Sequence, residues 1–258
     1  MTADQIIQRA RDAYTSLATY HETGEETTVM HAELPLHRQS WSVERFETWF
    51  RREPFGFRFE NATVDLGPPG SWSRRVVWQG KDGVARDWWS KRGRTGDPVE
   101  IIEDVDLGLA GLSNGWLAAR AILKTVVPPL REEPKRSADS DSLGLEVAKI
   151  EIDSRPIDVV RDVDETSIRE WRYDLGSGLI IGHYSRTEHG DLTRKKSRAM
   201  LAERAKSNPE LLKALKEFDE IHRENSREDF VAESTVVISP EPNAEIDPKV
   251  FEFQPPEE

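Results

Sequence analysis

Apolar positions open the chain at helical spacing. Ile6, Ala10, Ala13 and Leu17 fall on one face, with Ile7 and Tyr14 beside them. Thr2 and Gln5 stand ahead of that run at the spacing of a capping box, so a helix is expected from about residue 3. A helix with one apolar stripe covers a sheet. The period then shortens. Residues 19–30 are rich in Thr, Tyr and Val, and residues 40–51 carry Trp41, Val43, Phe46 and Phe50, whose change of parity predicts a bulge. Phe55, Phe57 and Phe59 alternate with Arg58 and Glu60 on the opposite face. The stretch "VVWQGKDGVARDWW" (76–89) reads as a hairpin, with Trp72, Arg74, Val76 and Trp78 on one face before the turn and Val84, Arg86 and Trp88 sharing a face after it.

The run "IIEDVDLGLAGLSNGWLAARAILKTVVPPL" (101–130) is apolar and helical in outline. Gly108, Gly111 and Gly115 interrupt it, and Pro128-Pro129 end it. It predicts two short, loosely held helices, followed by a polar loop over 131–142. A second series of strands runs from 145 to 188, with Trp171, Tyr173 and Leu175 alternating before a Gly176-Ser177-Gly178 turn. Residues 193–225 predict a charged helical insert, in which Asn208 caps a helix that has Pro209 at its first position. A strand, a Pro-rich turn and a last short strand close the chain. Strands in sequence with helices set apart from them give an α+β fold in a single domain, 1–258, with an antiparallel sheet.

Composition narrows the chemistry. The 258 residues carry a net charge of −12, which opposes general binding to nucleic acid or anionic membranes. Cysteine is absent, which removes disulfides, thiol catalysis and cysteine-ligated metals. No apolar run reaches the roughly 18 to 20 residues that span a bilayer, and "MTADQIIQRARDAY" has no signal-peptide pattern.

Five stretches, in this order, resemble the LolA/LolB-like lipoprotein-carrier superfamily, especially its bacterial relatives of unassigned role. "YTSLATYHETGEE" (14–26) is similar to that family's helix-to-strand junction, and "FRREPFGFRFE" (50–60) to its arginine-proline-phenylalanine strand entry. "VVWQGKDGVARDWW" resembles its aspartate-glycine hairpin, "EWRYDLGSGLIIGHYS" (170–185) its tryptophan strand and turn, and "IDPKVFEFQPP" (246–256) its closing strand. The insert at 193–225 departs from the carrier pattern. The resemblance implies a strongly curved, open half-barrel with an apolar concave face, covered by a helical lid at 101–130. It implies binding of a lipid acyl chain or a lipidated protein, as carrier or sensor, without catalysis and without cofactor or metal. The expected pocket walls are Phe57, Phe59, Trp78, Trp88 and Trp171, with Leu107, Leu109, Leu112 and Trp116 from the lid. The residues themselves read first as ordinary core, with Trp78 and Trp88 packed under the N-terminal or middle helices, and a pocket-lining role is the second reading. A periplasmic or extracytoplasmic location is expected, with a leader upstream of Met1, or a cytoplasmic one if Met1 is the native start. The chain is expected to be a monomer.

Other chemistry is weaker. His183 and His189 share a strand face about 20 Å apart, too far for one metal. Pairs such as Asp82 with Asp87, or Asp104 with Asp106, are expected by chance among 48 acidic residues. The alternative function is a protein-interaction or sensor module with a closed core, which would use the 193–225 insert.

Overall fold

In the computed structural model, eleven strands among the described residues form one antiparallel sheet that packs against an N-terminal helix. The structure describes residues 1–32, 40–65, 72–91, 98–105, 109, 145–190, 202 and 230–255. The helix α1 covers Ala3–Ser16. Strands β1 to β6 are Thr19–Ala32, Ser40–Arg51, Gly56–Asp65, Trp72–Gln79, Ala85–Lys91 and Glu100–Ile101. Strands β7 to β11 are Leu145–Ile152, Arg155–Val163, Ser167–Asp174, Ile180–His189 and Phe230–Pro242, and Pro248–Phe251 form a 3-10 turn. The strand order is β6-β5-β4-β3-β2-β1-β11-β10-β9-β8-β7, so the first and second series of strands join where β11 pairs with β1.

The capping box forms. Gln5 N donates to Thr2 Oγ1 at 3.3 Å, and Thr2 N donates to Gln5 Oε1 at 2.8 Å. α1 then buries Ala3, Ile6, Ala10 and Tyr14 against the sheet. Arg52, just past β2, donates to the carbonyls of Tyr14, Thr15 and Leu17 and so satisfies the open end of the helix. Arg9 reaches Asp158 on β8 at 2.8 Å, and Tyr14 Oη accepts from Ile180 N on β10 at 3.2 Å.

Strands about 4.8 Å apart would make a flat sheet of this order roughly 48 Å wide, whereas α1 is only about 21 Å long. The helix cannot bury such a width. Yet Val77 on β4, Ala85 on β5, Val236 on β11 and Val160 on β8 belong with α1 to one buried cluster. The sheet therefore bends its inner face toward the helix, and remains open in that β6 and β7 do not pair.

Three sequence expectations change. β2 pairs with β1 in an unbroken register, so the apolar parity switch between Val43 and Phe46 is not a bulge. Apolar residues simply occupy both faces, and the one register shift in β9–β10 lies between Ile180 and Gly182. The last short strand is replaced by the 3-10 turn, where Asp247 caps Lys249 N at 2.9 Å and Pro248 starts the turn. Of the lid at 101–130, Ile101 is in β6, while Val105 and Leu109 are buried in the main cluster. Ile102 packs against that cluster; residues 106–108 and 110–130 of the lid, and the insert at 193–225 apart from Ala202, lie outside the described residues.

Candidate functional site

The pairing register sorts every strand residue to one of two faces. Directly paired residues share a side, so Tyr20, Phe50, Phe57, Gln79 and Ala85 form one inner row, and Glu22, Thr48, Phe59, Val77 and Asp87 the next. Gly24, Phe46, Asn61 and Arg75 follow. The row after that runs from Glu44 through Glu26 and Val236 to His183, Trp171 and Val160.

The floor of this face is apolar. Tyr14 of α1 meets Tyr20 edge-on with ring centres 5.8 Å apart, and Phe46 stacks on Phe59 at 6.2 Å. Phe50, Phe57 and Leu109 leave no surface to solvent. One carboxyl is set into this floor. Glu22 is fully buried and accepts from Tyr20 Oη and Thr48 Oγ1, both at 2.7 Å. Burial pushes its pKa up to about 7, against the two hydrogen bonds that favour its charged form.

Further from the Tyr20 row the same face becomes polar. Asn61 donates to Glu44 at 2.8 Å, Ser234 donates to Glu26, and Arg75 clasps both oxygens of Asp87. His183 lies beside Trp171 at 5.6 Å, and its Nδ1 is buried without a hydrogen-bond partner. Burial, helped by the cations of Arg169 and Arg172, lowers its pKa to about 4, so the ring is neutral. The inner face thus offers an apolar floor and a polar upper wall, a distribution that suits an amphiphile.

Phe57, Phe59 and Leu109 of the expected pocket walls come together in the main cluster, with Trp171 packed against it. Trp78 and Trp88 do not. Trp78 pairs with Arg58 and Arg86, and Val76 with Trp88, all on the outer face. They form a separate cluster under Phe253, with ring centres 5.1 and 5.5 Å away. The parity of β4 decides this, because Val77 points inward and its neighbours point outward. Leu107, Leu112 and Trp116 lie outside the described residues.

The outer face is organised around the C-terminal segment. Arg58 sits between Trp49 at 5.1 Å and Phe253 at 4.8 Å, and donates to Val250 O at 2.8 Å. His21 bridges Glu47 at 2.7 Å and Glu241 at 2.9 Å. A shallow depression of about 520 Å³ lies beside them, bordered by Glu25, Arg45, Glu60, Arg74 and Val237. Asp82 pairs with Arg86 at 2.6 Å, whereas Asp87 faces inward to Arg75, so these two carboxylates do not work together. Among the described residues no three His, Asp or Glu converge to hold a metal, and no helix is long and apolar enough to cross a membrane.

Sequence missed the inner-face polar tier. Glu22, Glu26 and Glu44 look like solvated strand charges, and only register shows that they point the same way as Tyr20 and Phe50.

No family model matches the chain, and no curated protein matches it. Among solved structures, a DUF1329 family protein from Desulfovibrio piger is 9% identical over 96% of this chain and 94% of that chain, with a TM-score of 0.33. A chain of the Pseudomonas aeruginosa MucA/MucB complex is 14% identical over 71% of this chain and 50% of that chain, at a TM-score of 0.29. A chain from the structure of MucB in complex with MucA(peri) is 13% identical over 71% and 49%, at 0.27. This chain therefore spans about half the length of the matched chains in those two complexes. Identity and TM-score are low in all three, so the function has to follow from the geometry of this chain itself.

Proposed function

We propose that this chain is a binding protein without catalytic chemistry, which holds the apolar part of an amphiphile against the inner face of its sheet. The ligand class is a lipid acyl chain, free or attached to a protein, and the protein acts as carrier or sensor. The observation that carries the reading is the single apolar cluster along the inner face of an open sheet, into which Val105 and Leu109 of the mid-chain segment are packed. A segment that fills a hollow with side chains is a cover that a chemically similar ligand can replace. Each methylene transferred from water contributes about 0.8 kcal/mol, so a few carbons match one buried leucine. The polar tier of Asn61, Glu44, Arg75 and Asp87 then faces the ligand's headgroup. This reading puts the protein in an extracytoplasmic compartment, which cell fractionation tests.

One observation favours the second reading, an interaction module with a closed core. Ile6, Phe50, Phe57 and Leu109 are all fully buried, so the floor is already filled. Acyl chains brominated at defined carbons separate the two. Under the first reading they quench Trp171 emission in a saturable way, and Trp171→Phe removes that component. A closed core leaves the emission unchanged at every acyl concentration.

A further inference from the structure

We propose that the protein pairs with a second copy of itself along β7, continuing the sheet across a two-fold axis. β7 ends the sheet. β8 takes one of its edges, and among the described residues no strand takes the other. Residues 146–152 are all exposed, and Val147, Ile150 and Ile152 each keep 38% of their surface. The opposite end of the sheet is only the two-residue β6. An eight-residue edge, five of whose residues are apolar and whose far side pairs with no strand among the described residues, is a template for a further strand.

Charge selects the occupant. Lys149 and Glu151 point to one side of β7, and Ala148, Ile150 and Ile152 to the other. A two-fold axis perpendicular to the sheet and level with Ile150 sets Ile150 opposite the same residue of the copy. It sets Lys149 opposite Glu151 twice over, and Ala148 opposite Ile152. Both charged pairs attract, and the remaining pairs are apolar. Moving the axis one residue along the strand sets Lys149 against Lys149, or Glu151 against Glu151, so like charges reject the adjacent registers. A lone edge lysine guards a strand against pairing. A lysine and a glutamate two residues apart on one face instead complement their own reversed copy. Pairing over 148–152 is short compared with the roughly 1,000 Å² of a permanent interface, so the dimer is reversible and forms as concentration rises. It differs from the monomer expected from sequence.

The absence of cysteine makes the test direct. Facing residues of antiparallel strands have Cα atoms about 4.5–5.5 Å apart, within disulfide range. Ile150→Cys therefore gives a disulfide-linked dimer under mild oxidation, while Ala148→Cys, offset from its own copy, stays monomeric on non-reducing gels. Sedimentation of the wild type shows monomer giving way to dimer with concentration. Lys149→Glu and Glu151→Lys each weaken the dimer by about tenfold or more, and the double charge swap restores it. These side chains are exposed, and an unchanged circular dichroism spectrum shows that each variant folds. A wild type that stays monomeric at every concentration overturns the proposal. So does a dimer that the single reversals leave intact, or one that the double swap fails to restore.

Discussion

Phe46 lays its ring over Gly24 on the neighbouring strand, so closely that a methyl carbon added at Gly24 would lie 2.0 Å from Phe46 Cζ. Both residues sit on the inner face, where Phe46 also stacks on Phe59. Gly24→Ala must therefore displace Phe46, at a cost of about 1–3 kcal/mol. Denaturant titration checks this. In Gly24→Ala/Phe46→Ala the two costs are not additive, because the ring that clashes is already gone.

Glu22 makes stability depend on pH. Its folded pKa of about 7 lies above the ordinary 4.5, so the native state holds the proton more tightly than the unfolded chain. The stability this contributes is fully present below about pH 4.5 and is lost as pH rises through about 7. With the carboxyl fully buried, the difference is of the order of 3 kcal/mol. Glu22→Gln keeps a carbonyl acceptor without the charge, so its stability relative to wild type increases from pH 5 to pH 8. A difference that is flat with pH contradicts this. His183, lowered to about 4 by burial and then by Arg169 and Arg172, acts the other way: its contribution is lost as pH falls from about 6.5 toward 4.

His21 titrates on the outer face. Burial opposes its protonation, but the hydrogen bonds to Glu241 and Glu47 outweigh burial and raise its pKa. NMR titration of the ring gives a midpoint above the ordinary 6.5, and Glu47→Gln or Glu241→Gln lowers it. The stabilisation from this bridge is present at acid pH and lost as pH rises through the folded midpoint.

Trp78 and Trp88 report on the C-terminal segment rather than on the ligand. Phe253 packs on both rings, so Phe253→Ala exposes them, costs about 1–2 kcal/mol and shifts tryptophan emission to the red. Acyl binding at the inner face is unaffected.

Much of the architecture was legible because it is written in local periods. The capping box at Thr2 and Gln5, the burial of Ile6 and Ala10 on the expected helix stripe, and the alternation of Phe57 and Phe59 appear where the sequence puts them, while Tyr14, expected beside that stripe, is buried and Ala13 only partly so. What one strand cannot say is which of its faces turns inward. Trp78 and Val77 are adjacent and both suit a core, and only the pairing of Val77 with Phe59 assigns Val77 to the inner face. The same ambiguity hid Glu22, whose partners are Tyr20, two residues back on its own strand, and Thr48, directly opposite on β2. The expected closing strand fails for a local reason, since "FEF" alternates like a strand while Asp247-Pro248 commits the chain to a 3-10 turn.

Native mass spectrometry of gently purified protein tests the central claim most directly. The account predicts a mass excess of one acyl-bearing molecule per chain, released by organic extraction and regained when a long-chain fatty acid is supplied. A bare chain mass that stays bare after the fatty acid is supplied contradicts it.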